Sequence, residues 1–186
     1  MFVVVSGTSR PGANSLKVAR LVQGALEEAG AATRLLDLAE LPAAAFRPEA
    51  LATRPPEFTP YQEAIDECAG VLVVVAEYNG SFPGVLKHFL DLLRYPGSLE
   101  GVPSAFVGLS GGRWGGLRAV EQLQQVFQYG KAHLFPQRVF LSHVYRALDG
   151  EGRLVDPELA ARLRHQAATF VEFAGRNPRR PKQEAS

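Results

Sequence analysis

Short apolar runs, fit for buried strands, alternate along this chain with stretches whose apolar residues recur at helical spacing. The first run is MFVVVS, which predicts a strand over Phe2–Ser6. A helix follows over about Ser15–Ala29. There Val18, Ala19, Val22, Ala25, Leu26 and Ala29 share one face, and Gly30 closes the element. A second strand is expected at Thr33–Asp37 and a short helix at Tyr61–Cys68. Gly70–Ala76, GVLVVVA, is a continuous apolar run suited to a strand buried on both faces. A helix over Gly84–Leu93, a strand over Pro103–Gly108, a helix over Gly116–Tyr129 and a strand over Gln137–Leu141 continue the alternation. Asp156 followed by Pro157 gives an N-cap and a first-turn proline, starting a last helix that runs to about Ala174. Five strands with intervening helices predict an α/β fold, a parallel sheet in a three-layer α/β/α arrangement. Ligands of such sheets sit at the carboxyl ends of the strands, where strand order reverses. The loops after the first, third and fourth strands are therefore the places to look.

Two segments stand outside the alternation. Leu41–Pro60 is rich in Pro and Ala and too long for a connector, so it is expected to cover a site or a subunit interface. Arg176–Ser186 is polar and contains proline. It reads as a mobile tail, with Arg179, Arg180 and Lys182 solvated, behind one domain of residues 1–175.

Composition narrows the classes. At 186 residues and 46% hydrophobic, the chain has the length and apolar content of one cored domain. A net charge of +1 provides no field to draw nucleic acid or an anionic membrane. No apolar run approaches the roughly 20 residues of a membrane span. The apolar opening lacks a basic stretch before it and reads as a buried strand, not a leader. Cys68 is the one cysteine, so no internal disulfide forms, and the expected location is cytoplasmic. Cys68 ends a helical pattern just before a strand, a place for packing rather than catalysis. His88, His133, His143 and His165 are scattered and form no metal-ligating pattern.

The chemistry lies in three loops. Gly7–Ala19, GTSRPGANSLKVA, runs from the first strand into the first helix. A helix start offers unpaired N–H groups and the positive end of the dipole to an anion. Thr8, Ser9, Asn14 and Ser15 add hydrogen-bond donors, and Arg10 adds charge. The loop lacks both the GK[ST] ending of a P-loop and G-x-G-x-x-G. One terminal phosphate suits it, as in riboflavin phosphate, FMN. The same residues equally suit a plain βα turn with an N-cap asparagine. The second loop, Glu77–Lys87, reads EYNGSFPGVLK, and the third, Ser110–Gly116, reads SGGRWGG. Glycines let a backbone approach a ligand, and Tyr78 and the backbone N–H groups of Ser110–Gly112 offer a wall and edge donors for a flat heterocycle.

In this order and spacing the three segments resemble the NADPH-dependent FMN reductase family, flavodoxin-like proteins that include quinone, azo-dye and chromate reductases. The resemblance covers about Met1–Leu141. Its most specific part is the family pattern P-E-Y-N-x-S-x-P-G-x-L-K-N-x-x-D, matched by Glu77, Tyr78, Asn79, Ser81, Pro83, Gly84, Leu86, Lys87 and Asp91. Ala76 stands where the family has proline, His88 where it has asparagine, and Ala13 where serine is common.

The resemblance implies a flavodoxin-like fold with a five-stranded parallel sheet in the order 2-1-3-4-5. It implies that Ser9, Arg10, Asn14, Ser15 and Leu16 hold the FMN phosphate and ribityl entrance. Glu77, Tyr78, Asn79 and Gly80 would line one side of the ring system, and Ser110, Gly111, Gly112 and Gly115 its pyrimidine edge. No protein group is expected to be catalytic. The resemblance implies that hydride passes from NADPH or NADH to the flavin and electrons then to a flavin, quinone, azo dye or metal oxyanion. With one ring face left open and no second binding motif, ping-pong order is expected. Family members are homodimers or homotetramers, which makes the Gly84–Leu93 helix and the Leu41–Pro60 loop the expected contacts. The competing classes are an interaction protein that kept the fold and lost the flavin, and a non-catalytic electron carrier or redox sensor. Classical flavodoxins of that kind are strongly acidic, and this chain is not.

Overall fold

The computed structural model describes residues 1–179. Strands β1 (Phe2–Ser6), β2 (Thr33–Asp37), β3 (Gly70–Ala76), β4 (Pro103–Leu109) and β5 (His133–Leu141) form one sheet in the order β2-β1-β3-β4-β5. Every neighbouring pair is parallel. The α-helices are α1 (Asn14–Glu28), α2 (Ala50–Thr53), α3 (Thr59–Asp66), α4 (Gly84–Leu92), α5 (Leu117–Tyr129), α6 (Val144–Ala147) and α7 (Pro157–Arg176). This is the doubly wound, flavodoxin-like strand order expected above.

The two-residue period of the strands sorts the core into two layers. Val3, Val5, Val71, Val73, Val75 and Phe106 face one way, with Ile65 of α3, Phe89 of α4 and Leu123 of α5. Phe2, Val4, Leu72, Val74, Ala105 and Val107 face the other, against Val18, Val22 and Leu26 of α1 and Leu163 and Phe170 of α7. Both faces are covered, which is why β1 and β4 are buried at every position.

β5 begins at His133, four residues before the expected Gln137. Pro136 reads as a breaker because it cannot donate to a ladder. Here it lies in an irregularity: the register passes from Ser104 opposite Leu134 to Phe106 opposite Arg138. The buried Gln166 of α7 fills the break. Its Nε2 donates to Phe106 O and to Gln137 O, each at 3.0 Å. A side-chain amide thus meets one carbonyl on each strand where the ladder is interrupted.

The 41–60 segment is built rather than loose. It contains α2 and turns of 3-10 helix over Ala43–Phe46 and Pro56–Phe58, and it buries Leu41, Ala44, Ala45, Ala50 and Phe58. Side-chain hydrogen bonds help tie it to α4. Ala45 O lies 2.6 Å from His88 Nε2, and Arg54 Nε donates to Leu92 O at 3.2 Å.

Asp156 caps α7 through its Oδ1, 2.8 Å from Glu158 N, with Pro157 in the first turn. The tail expectation falls mostly on residues 180–186, including Arg180 and Lys182, outside the described residues. Arg176 still belongs to α7, and Arg179 is not solvated. Its guanidinium donates to four carbonyl oxygens, those of Ile65 and Asp66 at the end of α3 and those of Gly97 and Ser98. A cation at that helix end also meets the negative pole of the dipole.

Candidate functional site

Parallel strands bring their following loops to one edge of the sheet. β1, β3 and β4 are adjacent in that sheet, so Gly7–Ala13, Glu77–Pro83 and Ser110–Gly116 lie side by side. Backbone hydrogen bonds fix the exits. Gly7 N donates to Val74 O at 2.9 Å, Glu77 N to Leu109 O at 3.0 Å and Ser110 N to Leu141 O at 3.1 Å.

In the first loop the N-cap of α1 is Ala13, and no side chain caps the helix. Asn14 accordingly belongs to the first turn and is not the N-cap. Alanine is among the poorest N-caps, and serine there would satisfy one N–H at a gain of about 1 kcal/mol. Leu16 N turns back to Ala13 O at 3.0 Å, which leaves the N–H groups of Asn14 and Ser15 facing the loop. Thr8 and Ser15, both buried, hydrogen-bond each other through their hydroxyls at 2.6 Å, tying loop to helix. One hydrogen of that pair remains free to donate elsewhere. Ser9 and Arg10 are exposed and Leu16 half-buried. Arg10 takes part in none of the ion pairs among the described residues.

In the second loop Tyr78 and Ser81 pair through two backbone hydrogen bonds of 2.7 and 3.0 Å. Asn79 and Gly80 between them have φ of 51° and 77°. Two successive positive φ values define the tight turn for which Asn-Gly is the preferred pair. Tyr78 projects outward, 38% exposed. Glu77 turns its side chain toward α5, where Oε1 pairs with Arg118 Nη1 at 3.3 Å. The residues at the family's departures have local partners. The His88 ring stacks on Phe46, centroids 5.1 Å apart. Ala76 lies in register with Leu109, so the ladder restrains the backbone where proline would stiffen it.

In the third loop Ser110 is half-buried, and Gly111 and Gly112 are exposed. A Cβ built on Gly112 meets nothing nearer than Ser110 Oγ at 3.9 Å, so its outer side is open. Gly111 lies under the Tyr145 ring, whose Cε2 would be 3.0 Å from a Cβ there. Gly115 is buried against the end of β5 instead, with Leu141 C and Ser142 N both 3.0 Å from a Cβ. Gly116 is the tightest point of the loop. Its φ is 89°, and a Cβ would stand 2.6 Å from Leu109 N. Arg113 stacks over the Trp114 ring at 4.4 Å.

Two buried side-chain oxygens have no hydrogen-bond partner among the described residues: Ser6 Oγ and Glu77 Oε2. Ser6 ends β1 and Glu77 directly follows β3, so both lie beneath the site loops. A buried polar atom without a partner is uncommon and calls for one. The uncapped α1 start and the open side of Gly112 fit a bound phosphate-bearing ligand. By contrast, a groove of about 590 Å³ lined by Phe2, Cys68, Val171 and Arg179 lies near the opposite edge, away from these loops. Cys68 is buried there, and loss of solvent pushes its thiol up to about 11, which keeps it an unreactive thiol at neutral pH.

The family model for NADPH-dependent FMN reductase matches residues 1–146. The chain belongs to that family. An NAD(P)H-dependent FMN reductase of Pseudomonas aeruginosa is 33% identical over 115 residues, covering 60% of this chain and 62% of that protein. A 2-hydroxy-1,4-benzoquinone reductase of Burkholderia sp. is 32% identical over 116 residues, 60% of this chain and 61% of that protein. The chain thus spans a little over three fifths of the length of these curated relatives. Among solved structures, the flavoenzyme NAD(P)H:(acceptor) oxidoreductase FerB of Paracoccus denitrificans superposes with a TM-score of 0.77. That match covers 95% of this chain and 97% of FerB at 24% identity, and it speaks to the fold alone. No helix among the described residues is long and apolar enough to cross a membrane.

Sequence reasoning missed the residues that brace the loops from outside. Arg118 and Gln122 of α5 hold the second loop. His143 N donates to Gly112 O at 3.1 Å, and Val144 N to Ser110 O at 3.0 Å, holding the third. None belongs to a motif, and no local signal marks them.

Proposed function

We propose that this chain is an FMN-dependent oxidoreductase that takes hydride from NADPH or NADH and delivers electrons to a small acceptor: a flavin, a quinone, an azo dye or a metal oxyanion. The observation that carries this is the start of α1, which no side chain caps and where Asn14 N and Ser15 N have no backbone acceptor among the described residues, beside two further glycine-bearing loops at the same sheet edge. Family membership supports it.

Ser9, Arg10, Asn14, Ser15 and Leu16 would hold the phosphate, with the uncapped first turn of α1 as its main donor. Glu77, Tyr78, Asn79 and Gly80 would wall one side of the ring system, and Ser110, Gly111 and Gly112 would meet its pyrimidine edge. Gly115 serves that edge indirectly, by letting the loop close on β5. FMN, when bound, supplies the hydride-accepting and electron-releasing chemistry. The chain binds and orients, and no side chain is assigned an acid or base role.

One open side leaves one stacking position, and the sequence holds no second nucleotide motif. Nicotinamide and acceptor must then use that position in turn, because hydride transfer needs reacting atoms about 3–3.5 Å apart. Initial rates at several fixed acceptor concentrations should give parallel double-reciprocal lines. Intersecting lines would refute the ping-pong order. If neither NADH nor NADPH bleaches the FMN-loaded protein, the oxidoreductase assignment falls and the electron-carrier alternative takes its place.

The assembly is a homodimer or homotetramer built on α4 and the 41–60 segment. Phe46 and Leu51 support this, being apolar and about half exposed on that segment, with Phe46 stacked on His88 of α4. Sedimentation velocity should show an oligomer that Phe46→Glu weakens. A monomeric parent protein would dismiss this assembly.

A further inference from the structure

The geometry points to Arg118 and Gln122 as positioning residues, a clamp by which α5 sets the Asn79–Gly80 turn at the flavin ring. The inference rests on the flavin site proposed above. Four residues apart, the two side chains share one face of α5. Gln122 uses both ends of its amide: Oε1 accepts from Ser81 Oγ at 2.6 Å, and Nε2 donates to Gly80 O at 3.1 Å. One turn earlier, Arg118 Nη1 reaches Glu77 Oε1 at 3.3 Å. Its Cδ also lies 4.0 Å from where a Cβ on Gly80 would stand. Every residue from Glu77 to Ser81 is therefore gripped directly or is flanked by a gripped neighbour.

The turn needs that grip. Tyr78 and Ser81 form an isolated bridge with no strand continuing from it. A hairpin of that size is not stable alone. Its backbone bonds fix its shape but not its place on the protein. α5 fixes the place, and α5 also begins directly after Gly116, the last residue of the third loop. One helix thus joins two walls of the site and sets the distance between them. Both clamp residues are exposed on the helix, so they contribute little to the core. Their hydrogen bonds are spent on the position of a turn.

The test uses Arg118→Ala, Gln122→Ala and the double variant, since alanine keeps the helix. FMN affinity of the apoprotein, read by quenching of flavin fluorescence, should fall about tenfold in the double variant, as expected from losing hydrogen bonds that orient the site. Apoprotein melting should stay near that of the parent. Gln122→Glu keeps the acceptor for Ser81 Oγ and loses the donor to Gly80 O, so it should recover part of the affinity. Ser81→Ala should cost no more once Gln122 is already alanine. A drop in apoprotein melting with unchanged FMN affinity would make the clamp merely structural and overturn the inference. Parent-like affinity and melting in all variants would overturn it as well. If the parent protein itself fails to bind FMN, the flavin site falls first and this inference with it.

Discussion

Gly112→Val should fold and melt like the parent protein and yet bind no FMN. A Cβ at Gly112 has only Ser110 Oγ, 3.9 Å away, as a neighbour, and the residue is not among the positive-φ glycines. The fold therefore tolerates the branched side chain, which projects into the space where a ring edge would lie. Gly116→Ala should do the reverse. Its added methyl would meet Leu109 N at 2.6 Å with φ at 89°. The strained backbone costs about 1–3 kcal/mol, and overpacking adds about 1–3 kcal/mol. Denaturant midpoints and flavin titration on both variants separate the two roles within one loop. Normal flavin loading by Gly112→Val would reduce the loop to a surface turn. A fully stable Gly116→Ala would refute the close approach to Leu109.

Arg10→Ala is expected to weaken FMN by about 1.5–3 kcal/mol, the range for a hydrogen bond to a charged group. Exposure of Arg10 places the value toward the lower end. Arg10 makes no ion pair among the described residues, so its loss leaves no orphaned partner and stability should not change. Riboflavin, which has no phosphate, serves as the control. Its affinity should be nearly unaffected, and added salt should weaken FMN more in the parent than in the variant. Equal losses for FMN and riboflavin would take Arg10 out of the phosphate site.

Much of this architecture could be read before any coordinates, because a parallel sheet covered on both faces writes its strands as unbroken apolar runs. Phe2–Ser6 and Gly70–Ala76 are such runs, and both strands begin and end where the pattern says. β5 was harder. Pro136 looks like a terminator, and only Gln166, far along the chain on α7, makes its bulge tolerable. Arg179 likewise reads as a solvated tail residue, since nothing local reveals four carbonyls gathered from two distant segments. The site loops were legible as glycine-rich breaks after strands. Their braces were not, because Glu77–Arg118 and Ser81–Gln122 join residues 41 apart. Asn79–Gly80 did carry a readable signal, the dipeptide preferred for a tight turn.

The proline that obscured β5 also governs how copies of this protein can meet. β2 and β5 are the two rims of the sheet, where unpaired backbone groups invite another chain to extend it. β2 is only five residues long and carries Arg34 and Asp37. β5 lacks a donor at Pro136 and shifts register beside it. Neither rim offers the long, regular template that strand addition requires. Association through a continuous intermolecular sheet is thereby disfavoured at both ends, the amyloid-like route included, and self-assembly is directed to the helical faces.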